Sequence, residues 1–124
     1  MIIGVGVDLI DIQKIRESIK RLDFRCKVFT VEEIKICEGF TNAEEHYAGK
    51  FAAKEAFMKA IGHGIRQEIW FTQIEVLNNE NGMPFLQLTG KAQRITTELN
   101  VEKILLTISH SNGMAIAVVI LEAG

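Results

Sequence analysis

The sequence is poor in cysteine, with two, and in proline, with one, and its charges nearly cancel at a formal −2 over 124 residues. Each shortage excludes something. Cys26 and Cys37 form no CxxC and have no histidine at zinc-like spacing, so neither a disulfide framework nor a zinc ribbon is expected. Ten glycines and one proline against 48% hydrophobic residues rule out a collagenous or disordered chain. The longest apolar run, residues 114–121, is far short of the ~20 residues of a membrane span. Residues 1–8 are apolar without a basic flank, so no secretory signal is expected. Fourteen basic against 16 acidic residues leave no broad surface for nucleic acid, although a local basic site is allowed. What remains is one cytoplasmic domain, 1–124, large enough to bury roughly two-thirds of its unfolded surface.

The periodicities describe an α+β chain. Residues 2–8 are β-branched and apolar and read as a buried strand. After Asp11, Ile12, Ile15, Ile19 and Leu22 mark one amphipathic helix. Thr30 and Glu33 form a capping box that opens a short helix ending near Gly39. Asn42 and Glu45 repeat that signature and open the longest helix, residues 42–61, closed by Gly62-His63-Gly64. Residues 70–77 and 85–89 read as strands joined by a loop containing Asn81-Gly82. Residues 91–99 read as a helix, and residues 103–109 and 114–121 as strands around Asn112-Gly113. The expected order is βαααββαββ, with an antiparallel sheet packed against the long helix.

Chemistry collects in two segments. In the first strand, alternation places Gly4, Gly6 and Asp8 on one face and Ile3, Val5 and Val7 on the other. Two glycines beside a carboxylate leave that face low, so a helix or ligand can approach Asp8 closely. Asp11, nearer the following helix, competes for its cap and leaves Asp8 less explained. In the long helix, Ala52 and Ala56 make a small-residue face, bordered by Glu55 with Lys59 one turn on. If that face packs on Gly4 and Gly6, Asp8 and Glu55 converge; otherwise Glu55 and Lys59 are an ordinary surface pair. Two converging carboxylates suit Mg²⁺, which keeps several waters and is completed by substrate phosphates. Lys50, Lys54 and Lys59 would supply positive charge for those phosphates. His110 closes a strand among Ser109, Ser111 and Asn112 and reads either as a core-edge histidine or as a ligand edge. His46 and His63 read as surface or helix-end residues. Arg16, Lys20, Arg21, Arg25 and Lys27 form a basic cluster, either a solvated face or a dock for an acidic partner. No G-x-S-x-G or S-x-x-K nucleophile motif is present.

Three stretches, Gly4-Val5-Gly6-Val7-Asp8, Gly49-Lys50-Phe51-Ala52-Ala53-Lys54-Glu55-Ala56-Phe57 and Ile108-Ser109-His110-Ser111, together resemble the 4′-phosphopantetheinyl transferases of the holo-acyl-carrier-protein synthase type. The likeness spans nearly the whole chain. It implies transfer of phosphopantetheine from coenzyme A to a serine of apo-acyl carrier protein, releasing adenosine 3′,5′-bisphosphate. It also implies Asp8 and Glu55 as Mg²⁺ ligands, and Asp8, Glu55 and Lys59 as the catalytic set. Glu55 or a metal-bound water is then the base for the serine proton. The cofactor-binding set it implies is Lys50, Lys54, Lys59, Gly62, Pro84 and His110, with Lys14, Arg16, Arg21 and Arg25 docking the acidic carrier. The resemblance further implies a homotrimer with active sites at subunit interfaces. Lys14 and Lys50 stand where related sequences often carry Arg, so charge is kept but the bidentate fork is not. Gly82-Met83-Pro84 resembles the nucleotide-side loop. Two other classes compete: a non-catalytic coenzyme A- or carrier-binding module, and another Mg²⁺-dependent phosphoryl enzyme, which lacks its phosphate loop here.

Overall fold

Strand β1 (Ile2–Asp11) carries its small residues on one face and its bulky ones on the other, and this asymmetry organises what packs on it. The structure, a computed structural model, describes residues 1–62 and 68–124. The expected helix closure at His63-Gly64, and His63 itself, lie outside the described residues. After β1 come α1 (Ile12–Ser18), α2 (Leu22–Val28), α3 (Val31–Glu38) and α4 (Ala43–Ile61). A 3₁₀ turn (Phe71–Gln73) leads into β2 (Ile74–Asn78) and β3 (Pro84–Leu88). The chain ends with α5 (Gly90–Glu98), β4 (Val101–Ser111) and β5 (Met114–Ala123).

The strands form two antiparallel sheets, one ordered β1-β5-β4 and one a β2-β3 hairpin. Asn112 and Gly113 both have positive φ, 53° and 76°, as the tight turn between β4 and β5 requires. Helix α4 lies diagonally across the three-stranded sheet. Its first half meets β4, where Gly49 faces Ile108, and its second half meets β1, where Gly6 faces Ala56 and Gly4 faces Ala60. The core lies in this layer: Ala52, Ala56 and Phe57 of α4 and Ala117 and Val119 of β5 are fully buried. The α+β class and the α4-on-sheet packing are as the sequence predicts.

Three local expectations are corrected. The single helix expected from Ile12 through Leu22 is two, giving the order βααααββαββ. The Ser18 hydroxyl donates back to Lys14 O at 3.0 Å, competing with the helical ladder where α1 stops. The break rephases the chain, so Leu22 faces solvent while Val28 and Phe29 enter the core. Second, Asn42 makes no side-chain cap on α4. Its amide instead donates to Glu45 Oε2 at 2.6 Å. Third, β2 begins at Ile74 rather than near Trp70. The preceding residues turn in 3₁₀ geometry, with Trp70 N–H donating to Gln73 Oε1 at 3.4 Å. Thr30 and Glu33 do form the reciprocal capping box, and Asp11 caps α1 by accepting from Gln13 N–H at 2.9 Å.

The glycine contacts generate a test. A methyl group at Gly6 would overlap Ala56 O and come within 2.8 Å of Ala60 N, both backbone atoms that cannot swing aside. Gly6→Ala is expected to destabilise the fold by about 2–3 kcal/mol, read from urea unfolding midpoints.

Candidate active site

Asp8 follows from the glycine face. It lies two residues beyond Gly6 on the α4 side of β1, and its carboxylate is only 13% exposed. Lys59 of α4 reaches it, with Nζ 3.1 Å from Asp8 Oδ1 and 3.1 Å from Val7 O. Glu55, half-buried, sits one helical turn before Lys59. Close approach of α4 to β1 thus brings together the strand carboxylate and the helix segment bearing Glu55 and Lys59. Asp11 is occupied with its cap, so Asp8 is the carboxylate of β1 left for this site.

A second constellation lies at the other end of α4. Glu45, His46, Gly49 and Lys50 of α4, Val76, Asn78, Gly82 and Pro84 of the β2–β3 hairpin, and Ile108 and His110 of β4 line a cavity of about 200 Å³. His110 Nδ1 is 3.7 Å from Glu45 Oε2. Lys50 is 5% exposed and donates from Nζ to Val76 O at 2.7 Å. Burial holds Lys50 below the ordinary lysine range, against the raising effect of Cys37, Glu33 and Glu75. The cavity shares His46, Asn78 and Gly82 with a neighbouring groove of about 570 Å³ that Phe40 and Phe85 wall with apolar surface. In register, Asp8 and Ile108 both lie opposite Ala117 of the central strand. The carboxylate site and the cavity are therefore two strand spacings apart, roughly 10 Å.

Two sequence expectations change here. Lys54 is not a phosphate ligand: it is fully buried, and Nζ is spent on Glu33 Oε1 (2.7 Å), Ile74 O (2.7 Å) and Phe71 O (2.9 Å). Burial pulls Lys54 down and Glu33 pulls it up. Losing one partner of such a pair costs roughly 3–5 kcal/mol, because the other charge is left buried alone. His46 is a helix-end residue, in the first turn of α4, but not a plain surface one. It is half-buried against the cavity and stacks on Phe40, with ring centroids 3.7 Å apart and planes 14° from parallel. Glu45, His46, Gly49 and Lys50 share one helical stripe, a spacing that could have revealed it. Gly62 ends α4 with φ 103° and donates its N–H to Lys59 O at 3.3 Å, which places it beside Lys59 rather than in the cavity lining.

The basic residues expected to dock a carrier are split over two helices. Lys14 and Arg16 are exposed on α1, with Arg16 held by Gln13 Oε1 (2.8 Å) and Glu44 Oε1 (3.1 Å). Arg21 stands at the start of α2 without a side-chain cap, its guanidinium 6.0 Å from the centroid of the Phe24 ring. Arg25 stands in the last turn of α2 with Nε buried. Among the described residues, no three His, Cys, Asp or Glu side chains gather as a metal cluster. At the Asp8 site the chain thus offers two carboxylates at most, Asp8 and Glu55. None of the described helices is long and apolar enough to cross a membrane.

Residues 4–119 match the model of the 4′-phosphopantetheinyl transferase superfamily, and the chain belongs to that family. The relatives narrow the likeness within it. The chain is 39% identical over 124 residues to the holo-(acyl-carrier-protein) synthase of Geobacter metallireducens, covering 98% of each. It is 44% identical over 124 residues to the synthase of Solibacter usitatus, covering 98% of this chain and 99% of the relative. Among solved structures it superposes on the Bacillus anthracis synthase in complex with CoA (3′,5′-ADP), with TM-score 0.82 and 35% identity, covering 100% of this chain and 99% of that one. The Neisseria meningitidis synthase gives TM-score 0.88 at 29% identity, covering 98% and 99%.

The cavity histidine generates a prediction. Burial, and then the charges of Lys50 and His110, hold His46 below its ordinary value of 6.5, with Glu45 opposing. The unfolded chain therefore takes up a proton near pH 6.5 that the folded chain resists. The resulting stability is present above that pH and lost as pH falls through it toward the depressed folded value. His46→Phe keeps an aromatic ring on Phe40 and removes this proton. The variant should lose less unfolding free energy than the unaltered chain between about pH 7.5 and pH 5.5 in urea titrations.

Proposed function

We propose that the chain is a Mg²⁺-dependent holo-acyl-carrier-protein synthase, moving 4′-phosphopantetheine from coenzyme A to a serine of apo-acyl carrier protein. The observation that carries this reading is the meeting of Asp8 with Lys59, one turn from Glu55, under the Gly4–Gly6 face. Membership of the transferase family along residues 4–119 supports it.

The serine oxygen forms a bond to the pantetheine-side phosphorus of the pyrophosphate. The bond from that phosphorus to the bridging oxygen breaks, and adenosine 3′,5′-bisphosphate leaves with the electron pair. The serine proton goes to Glu55 or to a water at the site. The donor set fits Mg²⁺, because two hard oxygen ligands without a third protein ligand leave room for waters and phosphate oxygens. Held by Asp8 and Glu55, the ion would neutralise charge on the pyrophosphate. Lys59 already satisfies Asp8 with a positive charge at 3.1 Å, so its ammonium is in place to take a phosphate oxygen instead. Lys50 and His110, at the cavity, supply cationic and hydrogen-bonding contacts for the nucleotide end, with Pro84 and Gly82 as its loop wall. The chain provides little covalent chemistry; it positions two substrates and stabilises charge. Lys14, Arg16, Arg21 and Arg25 present positive charge to an acidic carrier. Both cysteines are free, as in a cytoplasmic protein.

The outer face of the sheet supports a homotrimer with active sites at subunit interfaces. Val5, Val7 and Leu9 are 59%, 49% and 60% exposed, and Ile3, Leu105 and Ile116 extend the same apolar face. A patch of that kind on a sheet surface marks an association site.

Two experiments test these readings. Intact mass spectrometry of apo-acyl carrier protein incubated with coenzyme A, Mg²⁺ and this chain should show the addition of one phosphopantetheine. Asp8→Ala should lower the rate by at least about a hundredfold while keeping the unfolding midpoint. Coenzyme A binding without any mass gain would make the chain a binding module instead. Sedimentation should give a trimer, and Val5→Glu should shift it toward monomer; a monomeric unaltered chain would remove the interface reading.

A further inference from the structure

β2 has one strand partner, β3, and its other edge faces α3 and α4. On that edge its backbone polar groups end on buried side chains. Val76 N–H donates to Glu33 Oε2 at 2.8 Å, Val76 O accepts from Lys50 Nζ at 2.7 Å, and Ile74 O accepts from Lys54 Nζ at 2.7 Å. Glu33 and Lys54 are both fully buried and joined at 2.7 Å. Glu33 Oε1 also accepts from Thr30 N–H at 2.8 Å, which ties the pair to the start of α3. Charged side chains thus stand in for a third strand. Apolar residues of the same volume would fill the space, but they would leave these backbone groups without partners. A buried ion pair is also weak evidence of net stabilisation. Its distinctive effect here is register, since a one-residue slip of β2 would turn the wrong groups toward all three side chains.

That register matters because the same hairpin carries Asn78, Gly82 and Pro84, one wall of the 200 Å³ cavity opposite His110. Glu33 and Lys54 themselves lie in the core. We propose that Glu33 and Lys54 are positioning residues for the donor substrate: by pinning the outer edge of β2 they set the hairpin wall against Lys50 and His110, and so set the affinity for coenzyme A. This rests on the reading of the cavity as part of the coenzyme A site.

The test uses Glu33→Gln and the double variant Glu33→Gln/Lys54→Met. Glu33→Gln exchanges an acceptor for a donor beside groups that themselves donate. The double variant removes both partners of the pair, so neither is left as a lone buried charge should the single variant fold poorly. KM for coenzyme A should rise about tenfold in the folded variants, with kcat and the carrier KM within about twofold. The Val76 amide should exchange its hydrogen faster than in the unaltered chain. A folded double variant with unchanged coenzyme A KM and unchanged Val76 exchange would overturn the proposal. So would kcat falling while the coenzyme A KM holds, because the pair would then act on turnover or on the amount of folded enzyme and not on coenzyme A affinity. Failure of the activity reading looks different: the unaltered chain would then load no carrier. Coenzyme A dissociation constants from calorimetry would still decide the positioning role, weaker binding by the variants supporting it and equal binding refuting it.

Discussion

The close approach of α4 to β1 is the constraint on which the rest depends. Gly4 and Gly6 let the backbone carbonyls of Ala60 and Ala56 sit where side chains would otherwise stand. A helix that near the sheet needs small residues of its own, and Ala52, Ala53 and Ala56 are completely buried. The approach sets the height of Lys59 over Asp8 and leaves Glu55 beside them. It also fixes the diagonal of α4, whose other end then meets β4 and the hairpin. One packing distance thereby places both ends of the site.

The charge balance conceals a division of labour among the lysines. Three of them, Lys50, Lys54 and Lys59, looked interchangeable as positive charge for phosphates, with Lys14 set apart for the carrier. Lys54 is an internal strut, and Lys50 is a buried donor to Val76 O that also lines the cavity. Lys59 is 40% exposed and pairs with a carboxylate that is mostly covered. Lys14 stays out on α1. What separates them is helical phase: positions 50 and 54 fall on the stripe facing α3 and β2, and position 59 falls on the stripe facing β1.

The α4 segment and the β1 face were legible because their signals are local and steric. Alternating glycines, helical alanines and a capping box each have one dominant physical cause. The hairpin turn at Asn112-Gly113 was equally plain, since its two positive φ values suit few other residue pairs. The break between α1 and α2 was hidden, because Ile12, Ile15, Ile19 and Leu22 keep helical spacing through it. The core's demand for Val28 and Phe29, which comes from distant elements, decides the register beyond the break. Lys54 was misread for a related cause. A lysine in a motif reads as a ligand for phosphate until the position of Glu33, 21 residues away, is known. His46 needed the hairpin and β4 to become a cavity residue. Contacts of long sequence separation were the ones the sequence withheld.

The treatment of β2 has a consequence for solubility. An open strand edge is a template on which a foreign strand can extend a sheet, and natural proteins blunt such edges in various ways. Here the outward amide and carbonyls are already engaged by Glu33, Lys50 and Lys54, and two helices lie over them. No register is left for an incoming chain to copy. The side chains that hold the hairpin also guard this edge against pairing with a foreign strand.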